Sequence, residues 1–422
     1  MAQLIFRKGL DMKAAVAGEL AAAYHSALVE RVRAAGFTHA AGRLTVHLAR
    51  EFGFCYGVDR AVDYAYQARR RFPDRNVFLT GEIIHNPHVN DQLRASGIRF
   101  LSDPEEAGTS LGPADVLIIP AFGASIDDMA RFEQQGCTLV DTTCGSVLNV
   151  WKNVRRYAQT GFTSIIHGKM KHEETRATAS QALRYENGHY CVVLDRGEAR
   201  MVCDYIRTGS GAAALLHRFR GAVSPGFDPE RHLQRVGCAN QTTMLMTESL
   251  EIGEMFGEAM RDRFGEAALA ERFRAFDTIC SATQERQDAV LQLLDTAGTN
   301  GSAPLDMMIV VGGYNSSNTV NLARICAERV RTFHVSEPSC LEAGVIRHRP
   351  IGLPSTAAVM EEQTPGWFPA EGPVVLGLTA GASTPNNIVG QVIERLESFA
   401  REGESFAREG ESSAREGESF AR

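Results

Sequence analysis

Nine short apolar runs set the limits on what this chain can fold into. They cover residues 77–80, 116–122, 138–142, 164–167, 190–194, 235–239, 307–311, 332–335 and 374–379. Most are followed by Gly, Asn, Ser or Thr and then by a stretch with helical spacing. That alternation predicts α/β layers with mostly parallel strands. In such folds ligands bind where loops leave the carboxyl ends of the strands. At 422 residues the chain is too long for one ordinary domain, so two or three are expected.

The segments between these runs divide the chain. Residues 1–45 are rich in alanine and predict helices over 12–23 and 26–35, an extension acting as a cover or an oligomer contact. A strand-like 44–48 leads into Glu51-Phe52-Gly53-Phe54-Cys55-Tyr56-Gly57, and 60–71 has helical spacing. Three α/β lobes are expected: 46–143 with Cys55, 144–279 with Cys144, and 280–396 with Cys280, the last part returning to the first lobe. Residues 208–234 and 297–304, which contain Gly, Pro and Ser, are expected to be loops or insertions. From Ser398 the unit Ser-Phe-Ala-Arg-Glu-Gly-Glu repeats. It has no two-position apolar seam and each full unit carries a helix-weakening glycine, so 397–422 is expected to be a solvated, disordered tail rather than a coiled coil.

Composition excludes several classes. A net charge of −7 argues against general nucleic-acid binding. No run reaches the roughly 18 apolar residues of a membrane span. The N-terminus has no secretory core, and Asp11, Glu19 and Glu30 argue against a transit peptide, so a cytoplasmic protein is expected.

The nine cysteines are odd in number and dispersed, which argues against a disulfide framework, and no C-x-x-C occurs. Cys191 and Cys326 sit in apolar surroundings suited to a core. Three others differ. Cys55 lies between two glycines and two aromatics, Cys144 ends Val140-Asp141-Thr142-Thr143-Cys144, and Cys280 ends Asp277-Thr278-Ile279-Cys280. Each follows an apolar segment and precedes a helical pattern. Three such units around one axis would bring three thiolates together to hold an iron–sulfur cluster. Such clusters normally take four cysteines, so three would leave one iron open for substrate.

Polar motifs stand at other strand ends. His85 lies in Gly81-Glu82-Ile83-Ile84-His85-Asn86-Pro87, and His172 and Glu174 lie in His167-Gly168-Lys169-Met170-Lys171-His172-Glu173-Glu174-Thr175. A histidine can donate to phosphate and a carboxylate can relay a proton; equally, the acids suit an ordinary helix N-terminus. Asn240-Gln241-Thr242-Thr243, Asn315-Ser316-Ser317-Asn318 and Thr379-Ala380-Gly381-Ala382-Ser383-Thr384 are each helix-cap material and each a natural phosphate site. Together with the histidines they suggest a diphosphate cradle. Neither a Walker A motif nor a dinucleotide G-x-G-x-x-G accompanies them.

These residues resemble the family of 4-hydroxy-3-methylbut-2-enyl diphosphate reductases (IspH, also called LytB). The resemblance rests on Gly53-Phe54-Cys55-Tyr56-Gly57-Val58, Ile84-His85-Asn86, Asp141-Thr142-Thr143-Cys144, His172-Glu173-Glu174, Gln241-Thr242-Thr243, the run from Ile279 to Gln287, Asn315-Ser316-Ser317-Asn318 and Thr379-Ala380-Gly381-Ala382-Ser383, in the family's order over about 45–396. The longer chain is similar to the plant and cyanobacterial branch. The resemblance implies a three-lobed, trefoil-like α/β fold around a central [4Fe–4S] cluster. It implies Cys55, Cys144 and Cys280 as cluster ligands. His85, His172, Ser316, Ser317, Asn318 and Ser383 would hold the diphosphate; Glu174 would deliver protons, with His172 and Thr242 beside it in the catalytic set and Thr242 near the substrate hydroxyl. It implies reductive dehydration of the allylic diphosphate to isopentenyl and dimethylallyl diphosphate, the last step of the methylerythritol phosphate route to isoprenoids, with ferredoxin or flavodoxin as electron donor. The chain departs from the pattern twice. Phe122 stands where many bacterial relatives have a histidine, so that contact is expected to be missing or to pass to Lys169 or Lys171. Gly145-Ser146 replaces a common proline and is expected to loosen the loop beside Cys144. A non-catalytic iron–sulfur redox sensor or carrier would use the same thiols without the His, Ser and Asn set, and a structural zinc protein would need the thiols alone.

Overall fold

The computed structural model of the chain describes residues 5–276, 278–299, 303–353 and 361–401. It divides into two compact units. One holds the chain up to Val16, Tyr56–Ile84 and His88–Gln284; the other holds Ala17–Cys55, His85–Pro87 and the chain from Glu285 onward.

The first unit contains two parallel sheets. In one, the strand order is Ile5–Phe6, Thr138–Asp141, Val116–Ile119, Val77–Leu79, Ile98–Phe100. In the other it is Phe273–Ala275, Val236–Asn240, Thr163–His167, Tyr190–Val193. Central strands such as Val116–Ile119 and Val236–Asn240 are buried at every position. Helices cover both faces of such sheets, which is why these strands read as continuous apolar runs and not as alternating ones.

The second unit is built on one mixed sheet in the order Thr332–Val335, Met307–Val311, Val374–Ala380, Leu44–Leu48, Thr38–Ala41. Only the last pairing is antiparallel. A two-stranded antiparallel ribbon, Val345–His348 with Glu362–Pro365, belongs to the same unit. Its core joins Leu28, Val29 and Val32 of the helix Ala27–Ala34, the inward side chains of the sheet, Trp367, and Val389, Val392 and Leu396 of a helix over 386–401.

All nine apolar runs are strands, and the alternation with helices holds. The sheet from Thr163–His167 to Phe273–Ala275 lies within the stretch 144–279. Leu44–Leu48 pairs with Val374–Ala380, while residues 77–141 form a separate sheet. Parallel strands are recruited by matching apolar faces through crossover helices, so sequence neighbours need not share a sheet. The N-terminal segment is more than a cover. Its helices Lys13–Tyr24 and Ala27–Ala34 lie where expected, but Ile5–Phe6 and Thr38–Ala41 add edge strands to two different sheets. Residues 208–234 are not plain loop. They contain the helices Ala212–Arg218 and Pro229–His232, and Leu215, Phe219, Phe227 and Leu233 enter the core. Burial of those four side chains outweighs the Gly and Pro content that suggested a loop. Part of 297–304, and the repeat beyond residue 401, lie outside the described residues. Among the described residues, no helix is long and apolar enough to cross a membrane.

Candidate active site

All nine cysteines are among the described residues, and they separate cleanly. Cys137, Cys191, Cys203, Cys238, Cys326 and Cys340 are buried; Cys55, Cys144 and Cys280 are partly exposed. Each of the three exposed thiols immediately precedes a helix: Tyr56–Arg71, Gly145–Gln159 and Ser281–Thr296. The amide end of a helix favours an anionic thiolate, or an anionic cluster bound through it. These are the sulfur donors that an iron–sulfur centre requires, and their chemistry fits that group.

In the first unit, Cys144 follows the strand Thr138–Asp141. Its N–H donates to Ala121 O at 3.0 Å, and Thr142 Oγ1 donates to Ile119 O at 2.6 Å. The Asp141 carboxylate accepts from Thr143 N (3.1 Å) and Thr143 Oγ1 (2.6 Å), and Arg60 donates to Thr143 O at 3.2 Å. Side chains on the strand side of the loop fasten it where a proline would have done so.

Cys280 is held by different means. Asn240 and Thr278 are joined three ways: Asn240 N to Thr278 Oγ1 (3.0 Å), Thr278 N to Asn240 Oδ1 (3.3 Å) and Thr278 Oγ1 to Asn240 Oδ1 (2.5 Å). This ties the Cys280 loop to the end of the strand Val236–Asn240. Thr283 N donates to Cys280 Sγ at 3.3 Å, and Thr283 Oγ1 lies 3.0 Å from the same sulfur. Cys280 N also reaches Thr242 O at 3.4 Å.

The same unit carries the proton-transfer candidates. His172 is the N-cap of the helix Glu173–Ala182, and its Nδ1 accepts from Glu174 N at 3.2 Å. With Nδ1 accepting, the proton of the neutral ring sits on Nε2 and makes that atom a donor. Glu174 is 2% exposed. Its carboxylate accepts from Thr242 N at 2.6 Å and Thr242 Oγ1 at 3.0 Å, so both oxygens are oriented by one residue. Gln241 steadies this pair from behind. Its Oε1 accepts from Lys169 N and Thr175 Oγ1, each at 3.1 Å, and its Nε2 donates to Thr243 Oγ1 at 2.8 Å. Phe122 stands edge-on to the His172 ring at 5.5 Å between centroids. The aromatic edge buttresses the imidazole where a histidine would have added a donor.

In the second unit, the strands Met307–Val311 and Val374–Ala380 end beside the start of the helix Ser317–Ala327. Ser316 is its N-cap, with Oγ accepting from Thr319 N at 3.4 Å. Ser383 Oγ donates to His85 O at 3.2 Å and lies 3.5 Å from Ser316 Oγ. Asn315 Nδ2 lies 3.3 Å from His85 Nδ1. Asn318 Oδ1 accepts from Ala382 N at 2.9 Å, while its Nδ2 is buried with no hydrogen-bond partner among the described residues. A buried amide donor without a partner costs free energy unless a ligand meets it. Cys55 belongs to this unit. Its N–H donates to Ala382 O at 3.2 Å, and the buried Arg286 donates twice to Gly53 O, at 2.7 and 3.2 Å. Gly53 has φ +77°, and a Cβ there would lie 2.7 Å from Asn386 Oδ1. That backbone turn excludes other residues.

The structure thus groups His172, Glu174, Thr242, Cys144 and Cys280 in one unit and His85, Ser316, Ser317, Asn318, Ser383 and Cys55 in the other. Sequence reasoning missed the fasteners: Arg60, Arg286, Thr283 and the Asn240–Thr278 pair. Thr278-Ile279-Cys280-Ser281-Ala282-Thr283 held a readable signal, since a hydroxyl three residues into a helix is placed to reach back to its start.

The chain matches the family described as LytB protein over residues 46–397. Among curated relatives, 4-hydroxy-3-methylbut-2-enyl diphosphate reductase of Gloeobacter violaceus is 48% identical over 408 residues, 94% of this chain and 93% of the relative. The protein of the same name from Synechococcus sp. (strain RCC307) is 45% identical, covering 94% of each. A solved (E)-4-hydroxy-3-methyl-but-2-enyl diphosphate reductase, described as the terminal enzyme of the non-mevalonate pathway, matches 84% of this chain and 99% of its own at 26% identity and a TM-score of 0.50. The Plasmodium falciparum reductase matches in fold, at 20% identity and a TM-score of 0.58. These relatives agree with the cyanobacterial-like branch read from the motifs. On this family match and these identities, the chain belongs to the LytB family.

Proposed function

We propose that the chain catalyses the reductive dehydration of 4-hydroxy-3-methylbut-2-enyl diphosphate to isopentenyl and dimethylallyl diphosphate in the cytoplasm. Two electrons and two protons enter and one water leaves. The observation that carries this reading is the separation of three partly exposed thiols at helix starts from six buried ones, in a chain whose near-full-length relatives are named for this reaction.

Cys55, Cys144 and Cys280 would hold a [4Fe–4S] cluster, which would relay two electrons one at a time from a reduced ferredoxin or flavodoxin. His85, Ser316, Ser317, Asn318 and Ser383 bind the diphosphate. The helix start at Ser317, the hydroxyls and the Asn318 amide present donors, and the helix dipole favours the anion. His172 adds an Nε2 donor. Glu174, oriented by Thr242, delivers the protons, and the Thr242 hydroxyl lies next to it for the substrate oxygen. Burial of Glu174 and Thr242 keeps bulk water from competing for that proton. The polar set argues against a redox sensor, which needs the thiols but no diphosphate cradle, and the relatives named above are reductases.

The test is anaerobic purification with iron and sulfide analysis, an electron-paramagnetic-resonance spectrum with and without substrate, and turnover with a chemical reductant. The protein should be brown and active, and Cys144→Ala should lose both properties. Zinc in place of iron and sulfide, or full turnover in Cys144→Ala, would refute the assignment.

A further inference from the structure

The reaction consumes electrons that the substrate does not supply, so a reduced partner must dock on the surface. Resting on the reductase reading, we propose that the exposed face of the helix Gly145–Gln159, with the end of the helix Glu173–Ala182 beside it, is the docking surface for a small acidic electron-carrier protein.

The helix starts at Cys144, and Leu148 N bonds back to Cys144 O at 3.0 Å. The chain carries a net charge of −7, yet this helix, GSVLNVWKNVRRYAQ, has no acidic residue and three basic ones. Its buried stripe is Val147, Val150, Trp151, Val154 and Tyr157. That leaves Leu148 and Lys152, one turn apart, facing outward with Leu148 46% exposed. On the neighbouring helix end, Leu183 is 45% exposed and Arg184 is exposed. Each outward leucine has a cation near it in the chain, Lys152 one turn from Leu148 and Arg184 next to Leu183.

A cleft of about 740 Å³ adjoins this face, with Leu148, Arg155 and Arg184 on one side and Arg7 on another. Its lining holds three cations, Arg7, Arg155 and Arg184, against two carboxylates, Asp141, which is paired to Arg7 at 3.2 Å, and Glu133. Arg155 is fixed to Gln181 by two bonds, at 2.6 and 2.9 Å, so its charge is held in place. Short-lived electron-transfer contacts are small and use complementary charge to steer the encounter. An acidic carrier fits this surface; a nucleic acid would need a longer basic track than one helix and its neighbour provide.

The experiment compares two assays on the anaerobic full-length protein. In one, a reduced acidic ferredoxin supplies electrons; in the other, a reduced viologen does. Lys152→Glu combined with Arg184→Glu should raise KM for ferredoxin by about tenfold or more at low salt, the scale on which steering acts, and leave viologen-driven kcat unchanged. Wild-type KM for ferredoxin should also rise with ionic strength, and the variant should lose most of that dependence. The milder Lys152→Gln with Arg184→Gln should give an intermediate KM, and ferredoxin binding by calorimetry should weaken in the same order without reference to turnover. A charge-reversed protein with wild-type ferredoxin KM and binding overturns the proposal. So does sedimentation showing that this face pairs two copies of the chain. Loss of viologen-driven turnover in the wild type would instead refute the reductase reading itself, so the two failures are distinguishable.

Discussion

Replacing Glu174 by glutamine separates orientation from proton delivery. The carboxylate accepts from Thr242 N at 2.6 Å and Thr242 Oγ1 at 3.0 Å. An amide of the same size keeps an oxygen for the backbone N–H, and the Thr242 hydroxyl can rotate to accept from the new NH₂. Both contacts survive as neutral hydrogen bonds. Charged bonds contribute about 1 kcal/mol more than neutral ones, so Glu174→Gln should cost about 2 kcal/mol of stability at most. Losing a general acid costs about 10²–10⁴ in turnover, or about 3–5 kcal/mol of barrier. Thr242→Val deletes only the 3.0 Å contact and leaves the backbone N–H in place. If one charged bond of about 2 kcal/mol is lost entirely from orientation, turnover falls by at most about thirtyfold. The double variant should be no slower than Glu174→Gln alone, because the residues act as a unit. Anaerobic viologen-driven turnover, normalised to iron content, measures all three proteins. Near-full turnover in Glu174→Gln with its iron intact, or a larger loss in Thr242→Val than in Glu174→Gln, would refute this division of roles.

Acid should destabilise the protein before its carboxylates titrate. Burial holds His167 down at about 4 and His334 at about 3, against an ordinary value near 6.5, and lowers His47, His189 and His232 in the same direction. The unfolded chain therefore binds more protons below pH 6.5. The stability of neutral histidine is complete above that pH and is lost on acidification, by about 1.4 kcal/mol per pH unit for each deeply buried ring. Urea midpoints of the anaerobic protein should fall from pH 7 to pH 5, and a flat profile over that interval would contradict this. Gly381→Ala should raise KM for the diphosphate and cost about 1–3 kcal/mol of stability, read as a lower urea midpoint, because a Cβ there would lie 2.0 Å from the buried Thr319 Oγ1 and displace the helix start that carries Ser316, Ser317 and Asn318. Unchanged KM and midpoint would show that the helix start yields without consequence.

The strands were legible because a parallel sheet covered on both faces writes each central strand as an uninterrupted apolar run. Met307–Val311 is buried at all five positions and reads MMIVV. Two of the edge strands lack that signature, whereas the edge strands Tyr190–Val193 and Thr332–Val335 are buried throughout and keep it. Thr38–Ala41 is partly exposed throughout and Phe273–Ala275 has no buried position, so neither announces itself. The polar motifs were legible for a related reason: each stands where a strand ends and a helix begins, and the residue types that cap helices are those that bind anions. What stayed hidden was the support beneath them. Arg286 to Gly53 and Asn240 to Thr278 join positions far apart in sequence. Nothing local in an arginine of the helix Ser281–Thr296 says that it braces a backbone carbonyl over two hundred residues away.

The cysteines show how one residue type is sorted into two chemistries by position alone. Burial pushes the Cys203 and Cys326 thiols up to about 12 and raises Cys137, Cys191 and Cys238 as well. Such thiols stay protonated and pack as small apolar groups, poor as ligands and as nucleophiles. Cys55, Cys144 and Cys280 escape that fate through the topology. In each case a strand ends and a short loop carries the cysteine to partial exposure at the start of the following helix. The same geometry that places an anion site at a strand's carboxyl end therefore places a partly exposed sulfur donor there when the residue is cysteine. Local spacing carries no such information, since the three sites share only their position between strand and helix. A ligand set of this kind can be read from a sequence only by first reading the fold that repeats around it.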